Sequence, residues 1–292
     1  MTTGPVGKLP VLQRTNSLKA PVATILGYGP GGAGKTRSVQ TIVDAGFNPI
    51  ILRTELGKTG GLLSIATPPE TPGIAFVVIE SHQQMMDVIR ELKKKKGTVS
   101  YGADTFDYVV LDSLTHWGNM PLDRFVEMKG WQDLQTPEGG KDPRQAYGYL
   151  AEKGNQLYKE LFDLDGHLYV IAREGLFGGQ DGEPLFSAPE LPGQKLPREV
   201  PGWPDATVRL RVVAGQHVMI TKGEGGTPAR VRTPLNFPEL PLRCKPDIGA
   251  LTKFMCGDRT AIDALRLLSP QEANKLRQEE KRGLPPAQPK KP

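Results

Sequence analysis

The feature that most restricts this fold is one eight-residue turn: Gly29, Pro30, Gly31, Gly32, Ala33, Gly34, Lys35 and Thr36. It matches G-x-x-x-x-G-K-[ST] in full. An apolar run at 21–29 enters it, and an amphipathic stretch leaves it from Lys35. Glycines let main-chain N–H groups curl around an anion with no Cβ in the way. A helix N-terminus adds unpaired donors and the positive end of its dipole. The turn, with Arg37 just beyond it, is therefore expected to cradle the phosphates of a nucleoside triphosphate. Lys35 would reach the β- and γ-phosphates, and the Thr36 hydroxyl would face Mg²⁺. A second GKT, at Gly57, Lys58 and Thr59, has Leu52 where the first glycine belongs and no amphipathic helix after it, so it is set aside.

The rest of the pattern alternates strands with helices. Apolar strands are expected at 21–29, 48–55, 75–80, 106–112 and 167–172. Helices are expected from Lys35 to a stop at Gly46, over 83–95, and over 145–163, where Leu150, Gly154, Leu157 and Leu161 share a stripe. The four lysines at 93–96 suit a helix C-terminus, with a nucleic-acid patch as the alternative. Two long polar loops are expected at 114–144 and 174–203. Alternation at 206–213 and 217–222 predicts an antiparallel hairpin at the sheet edge. Beyond 250 the signals are helical, including a helix start at Ser269. The whole reads as α/β: a mainly parallel central sheet flanked by helices, with an antiparallel edge hairpin.

Two carboxylates end strands at the sheet edge where parallel α/β folds bind ligands. Asp112 closes YVVLD and could hold Mg²⁺ beside Thr36. Glu55 follows NPIILRT and could orient or deprotonate the water attacking a γ-phosphate. Arg173, just past HLYVIA, could sense that phosphate. His82, His116, His167 and His217 show no metal spacing. Asp112, Ser113 and His116 cluster like triad members on paper, but no nucleophile-elbow glycines surround them.

Composition narrows the setting. Of 292 residues, 38% are hydrophobic and 24% charged, which excludes a wholly disordered chain. No apolar run approaches the ~20 residues of a membrane span, and the N-terminus has no apolar signal core, so a cytoplasmic protein is expected. If the chain is phage-encoded, that is the bacterial host cytoplasm. Cys244 and Cys256 form no disulfide framework or zinc spacing. Net charge is +5. It is concentrated in the first 43 residues, in 209–245 and in the tail, which permits nucleic-acid binding. Three regions follow: a basic arm at 1–20, one core at 21–258, and a helical then disordered basic tail at 259–292.

The order of cradle, helix, strand ending in Glu55 and strand ending in Asp112 resembles the RecA-like P-loop ATPases. The TEL–GG segment at 54–61, VVLDSLT at 109–115, AYGYL at 146–150 and P-x-LPG-x-K at 189–195 are similar to the phage-type members, a group that includes single-strand annealing proteins of phage recombination. The resemblance covers about residues 21–255. It implies ATP and Mg²⁺ as cofactors, with Lys35 and Thr36 on nucleotide and metal, Asp112 on the metal side and Glu55 positioning water. It also implies single-stranded DNA as a partner, self-association into a ring or filament, and contacts with single-strand-binding or other replication proteins. Loops 114–144 and 174–203 would sit where such proteins touch DNA, Trp117 and Trp131 could stack bases, and Lys195 or Arg198 could act on a neighbour's phosphate. The loops depart from that pattern: 114–144 carries four cations against five acids. A nucleotide switch with a protein partner therefore stays open. A small-molecule kinase is disfavoured, because 114–144 holds only Arg124 and Arg144 as lid arginines.

Overall fold

A computed structural model describes residues 22–55, 62, 65, 73–132, 134, 142–178 and 185–267. The basic arm, the second GKT, the Ser269 helix start and residues 268–292 of the tail lie outside them.

Apolar runs buried on both faces make the central strands β1 (Thr24–Gly29), β2 (Pro49–Arg53) and β6 (Tyr108–Asp112). They join β3 (Ala75–Val78), β7 (His167–Phe177) and β9 (Ala206–Val213) in one parallel array ordered β9-β1-β7-β6-β2-β3. Between β3 and β6 the chain forms a separate hairpin of β4 (Val99–Tyr101) and β5 (Asp104–Phe106). Antiparallel strands complete the sheet. β8 (Phe186–Pro189) pairs with β7, β10 (Gln216–Ile220) and β11 (Arg230–Val231) pair with β9, and β12 (Arg243–Cys244) pairs with β10.

The period of two along each strand divides the core. Leu26, Leu52, Val109, Leu111 and Val170 face one layer, made by α2 (His82–Leu92), α3 (Leu114–Lys129) and α4 (Pro143–Phe162). Ile25, Ile51, Tyr108, Val110 and Tyr169 face the other. That second layer holds α1 (Val39–Asp44), α6 (Ile248–Met255) and α7 (Ala261–Leu265). A short α5 (Lys195–Glu199) follows β8. The mainly parallel sheet flanked by helices, with an antiparallel hairpin, is the architecture the alternation predicted.

Three local expectations are corrected. Residues 114–129 are a helix rather than loop. Pro121 and the polar residues around it hide a stripe in which Leu114, Trp117, Pro121, Leu122 and Phe125 are all buried. Ser113 caps this helix and Gly130, at φ 61°, ends it. Burial of the stripe against the core outweighs the disfavoured proline. The 174–203 stretch is also largely ordered: β7 runs five residues past Ala172, turns back as β8, and continues into α5. The first helix begins at Val39, not Lys35. Val39, Gln40 and Thr41 each bond the carbonyl three residues back, a tight 3₁₀-like entry. Of the four lysines at 93–96, Lys94 pairs with Glu91, and Lys93 bridges to Glu160 of α4 and to Asp163 just after it, at 2.8 and 2.6 Å.

Candidate functional site

β1 delivers the glycine turn to the carboxyl edge of the sheet, and β2, β6 and β7 end at the same edge. The turn is exposed at Pro30, Gly31 and Gly32. Gly32 and Gly34 have φ of 74° and 88°, which a side chain would strain. Gly29 meets a different limit: a Cβ there would lie 2.1 Å from the Leu210 carbonyl oxygen of β9. The turn is braced beneath by Ser38, whose hydroxyl donates to the Lys35 carbonyl at 2.6 Å and lies 3.0 Å from the buried Tyr169 hydroxyl. From β10, His217 Nδ1 lies 3.1 Å from the Ala33 carbonyl.

Lys35 Nζ donates to the Gly29 and Pro30 carbonyls, both at 2.8 Å, which holds it inside the turn. Burial lowers its pKa, against the pull of Asp112 and Glu55. The Thr36 hydroxyl donates to Asp112 Oδ2 at 2.9 Å. Asp112 is almost fully buried. Burial foremost, then the Glu55 charge, pushes its carboxyl up to about 6, while the Thr36 hydroxyl, Lys35 and Arg53 resist. The Asp112–Ser113 peptide is cis.

Glu55 stands across the cleft from the cradle, its side chain 29% exposed. It is placed by Thr54, whose hydroxyl donates to the Ser113 carbonyl at 2.6 Å and accepts from the Ser113 amide at 2.9 Å. That double bond pattern staples the end of β2 to the end of β6. Arg173 pairs in register with Gly29 across β1 and β7. Its amide donates to Thr115 Oγ1 at 2.9 Å, and its guanidinium lies 3.3 Å from Glu190. One cleft is thus lined by Gly31, Gly32, Gly34, Lys35, Thr36, Arg37, Glu55, Asp112 and Arg173. Ser113, His116 and His217 line it too.

The structure brings together every residue assigned to this site from sequence. Thr54, His116 and His217 went unassigned. Thr54 had a signal, as a polar residue between a buried strand and a strand-end acid. His217 had none, because β9–β10 pairing alone carries it to the cradle. Trp117, Trp131, Lys195 and Arg198 do not line this cleft. Trp117 is buried in the helical layer, edge-on to His82, which removes it as a stacking platform; Trp131 is half-buried and packs edge-on against Phe125 at 5.4 Å. Lys195 faces Glu199 one turn on at 3.8 Å, and Arg198 lies over the Phe186 ring. The basic 209–245 segment is largely spoken for. Arg209 pairs with Glu174, Lys222 with Glu239 and Arg232 with Asp205, and Arg230 donates to the Gly202 and Pro204 carbonyls. Neither Cys244 nor Cys256 is in a disulfide, and no cluster of three or more His, Cys, Asp or Glu residues suited to a metal occurs among the described residues. No helix among them is long and apolar enough to cross a membrane.

A lysine folded into a glycine cradle on β1, with the next residue's hydroxyl bonded to an acid two strands away on β6, is the arrangement of a P-loop nucleotide-binding ATPase. Residues 22–233 match the AAA domain family, and the chain belongs to that family. No curated protein matches the chain.

Proposed function

We propose that this protein is a Mg²⁺-dependent, RecA-like ATPase of the phage type that acts on single-stranded DNA in recombination, strand annealing or replication, assembled as a ring or filament. The observation that carries the nucleotide half is the Thr36–Asp112 bond at 2.9 Å beside the exposed cradle, with Glu55 on the facing strand end.

The donor set fits the group. Thr36 and Asp112 supply two hard oxygen ligands next to the phosphate cradle, the type of ligand Mg²⁺ takes. Bound there, the ion would neutralise phosphate charge. Main-chain amides of residues 31–36 and the Lys35 ammonium hold the β- and γ-phosphates. Glu55 accepts the proton of the attacking water, and Arg173 faces the charge that develops on the γ-phosphate.

Lys35→Ala should lower ATP turnover by about 10²–10³-fold, the usual loss for one transition-state donor. Unchanged turnover would refute the site. The DNA half rests on the resemblance of residues 54–61, 109–115, 146–150 and 189–195 and on the basic arm. The reading with a protein partner is favoured by the 209–245 segment, where four of its seven cations bond within the protein. ATPase rates with and without single-stranded DNA separate the two: stimulation supports the DNA reading, and its absence supports the other.

A further inference from the structure

His116 lines the cleft beside Glu55 and belongs to neither the cradle nor the metal pair. It sits in the first turn of α3. Its Nδ1 lies 2.8 Å from the Ser113 hydroxyl and 3.8 Å from Glu55 Oε1. The Ser113 hydroxyl is buried and also accepts the His116 amide, at 3.4 Å, as the cap of α3. Ser113 is in turn stapled to the end of β2 through Thr54. The imidazole is therefore carried on a rigid body made of two strand ends and a helix start, the same body that carries Glu55.

Glu55 has competing attractions. Lys35 of the cradle and Arg173 of β7 line the same cleft. A carboxylate drawn into an ion pair with Lys35 would leave both groups unfit for their roles. The imidazole, carried on α3, offers Glu55 a polar neighbour other than Lys35. The 3.8 Å separation exceeds a hydrogen bond, and a shift of about 1 Å closes it.

Resting on the ATPase reading above, we infer that His116 is a positioning residue for Glu55, holding its carboxylate away from Lys35 and at the γ-phosphate end of the cleft. A misplacement of ~1 Å in a reacting group costs about 10²-fold in rate.

The test is a double-mutant cycle on the full-length chain, read as single-turnover ATP hydrolysis with nucleotide affinity measured in parallel. His116→Ala should lower the chemical rate by about 10–100-fold and leave ATP affinity within about twofold. His116→Asn keeps a polar atom where Nδ1 stands and should recover a substantial part of the rate. In a Glu55→Gln background, His116→Ala should change the remaining rate by less than about twofold, because its partner is already disabled. An unchanged rate in His116→Ala, an equal loss in both backgrounds, or an Asn variant no better than Ala would each overturn the inference. If the wild-type chain hydrolyses no ATP, or Glu55→Gln is as fast as wild type, the underlying ATPase reading fails instead.

Discussion

Asp112→Asn should stabilise the nucleotide-free protein while destroying its activity. Asp112 is 4% exposed, and its carboxyl is pushed from the ordinary 3.8 up to about 6, by burial first and by the Glu55 charge second. The folded chain therefore holds a proton on this group at pH values where the unfolded chain has released it. Above pH 6 the ionised form opposes folding. The opposition fades as pH falls through 6 and is gone below about 4. At 1.36 kcal/mol per pH unit, the gap between 3.8 and about 6 comes to about 3 kcal/mol. Asparagine keeps an oxygen to accept the Thr36 hydroxyl and carries no charge. The variant should thus gain about 1–3 kcal/mol at pH 7.5, or roughly 3–10 °C in Tm for a chain of this size. Thermal melts in EDTA without nucleotide at pH 7.5 and pH 5.0 read this directly, with the variant's advantage shrinking by about half at the lower pH. With Mg·ATP the order should reverse, because only wild type gains the binding free energy. An Asn variant less stable than wild type at pH 7.5, or an advantage that ignores pH, would refute the account of Asp112 as a charge held in place against its solvation.

Two further outcomes follow from the geometry. Gly29→Ala forces a Cβ to within 2.1 Å of the Leu210 carbonyl, a backbone atom that cannot rotate away, so it should lose more than about 2 kcal/mol in urea melts and lose nucleotide binding with it. If single-stranded DNA binds through the 209–245 segment, only Arg211, Arg243 and Lys245 form no ion pair or side-chain hydrogen bond among the described residues. The slope of log affinity against log salt should then be about −2, and steeper by about a further 2 only while Lys8, Arg14 and Lys19 of the arm are present. A truncation of residues 1–20 that leaves the slope unchanged would remove the arm from the interface.

What could be read from sequence, and what could not, divides along a physical line. The cradle, β2, β6 and the strand-end acids Glu55 and Asp112 were legible because each is a local signal: continuous apolar runs, glycines at fixed spacing, an acid closing a strand. α4 was legible from its stripe, and the β9–β10 hairpin from its alternation. α3 was not, because Pro121 and its polar neighbours mask a stripe whose value appears only when Trp117 and Phe125 meet the core. The extension of β7 beyond Ala172 depends on β8 returning to pair with it, a non-local event. Charge was the most misleading signal. The local excess in 209–245 is real in composition, but Glu174 and Asp205 lie outside that segment and reach it only in the folded chain.

The site itself divides into a braced half and an adjustable half. The cradle is pinned from three directions: by the Leu210 backbone against Gly29, by Tyr169 through Ser38, and by His217 at Ala33. Tyr169 also crosses Gly27 so closely that a Cβ there would lie 2.5 Å from its hydroxyl, which fixes the strand leading into the turn. The reactive side is held differently. Glu55 has an imidazole beyond hydrogen-bond reach, and Arg173 has a half-exposed partner in Glu190 at 3.3 Å. A half-exposed ion pair contributes about 0–1 kcal/mol, which a phosphate can displace. A rigid floor pre-forms the anion site, so little ordering is required when a triphosphate enters. Loosely held groups opposite can then shift by the ångström or so that separates their present positions from a reacting phosphate. The groups that recognise the nucleotide are therefore the ones the fold immobilises, and those that would act on it retain freedom to move.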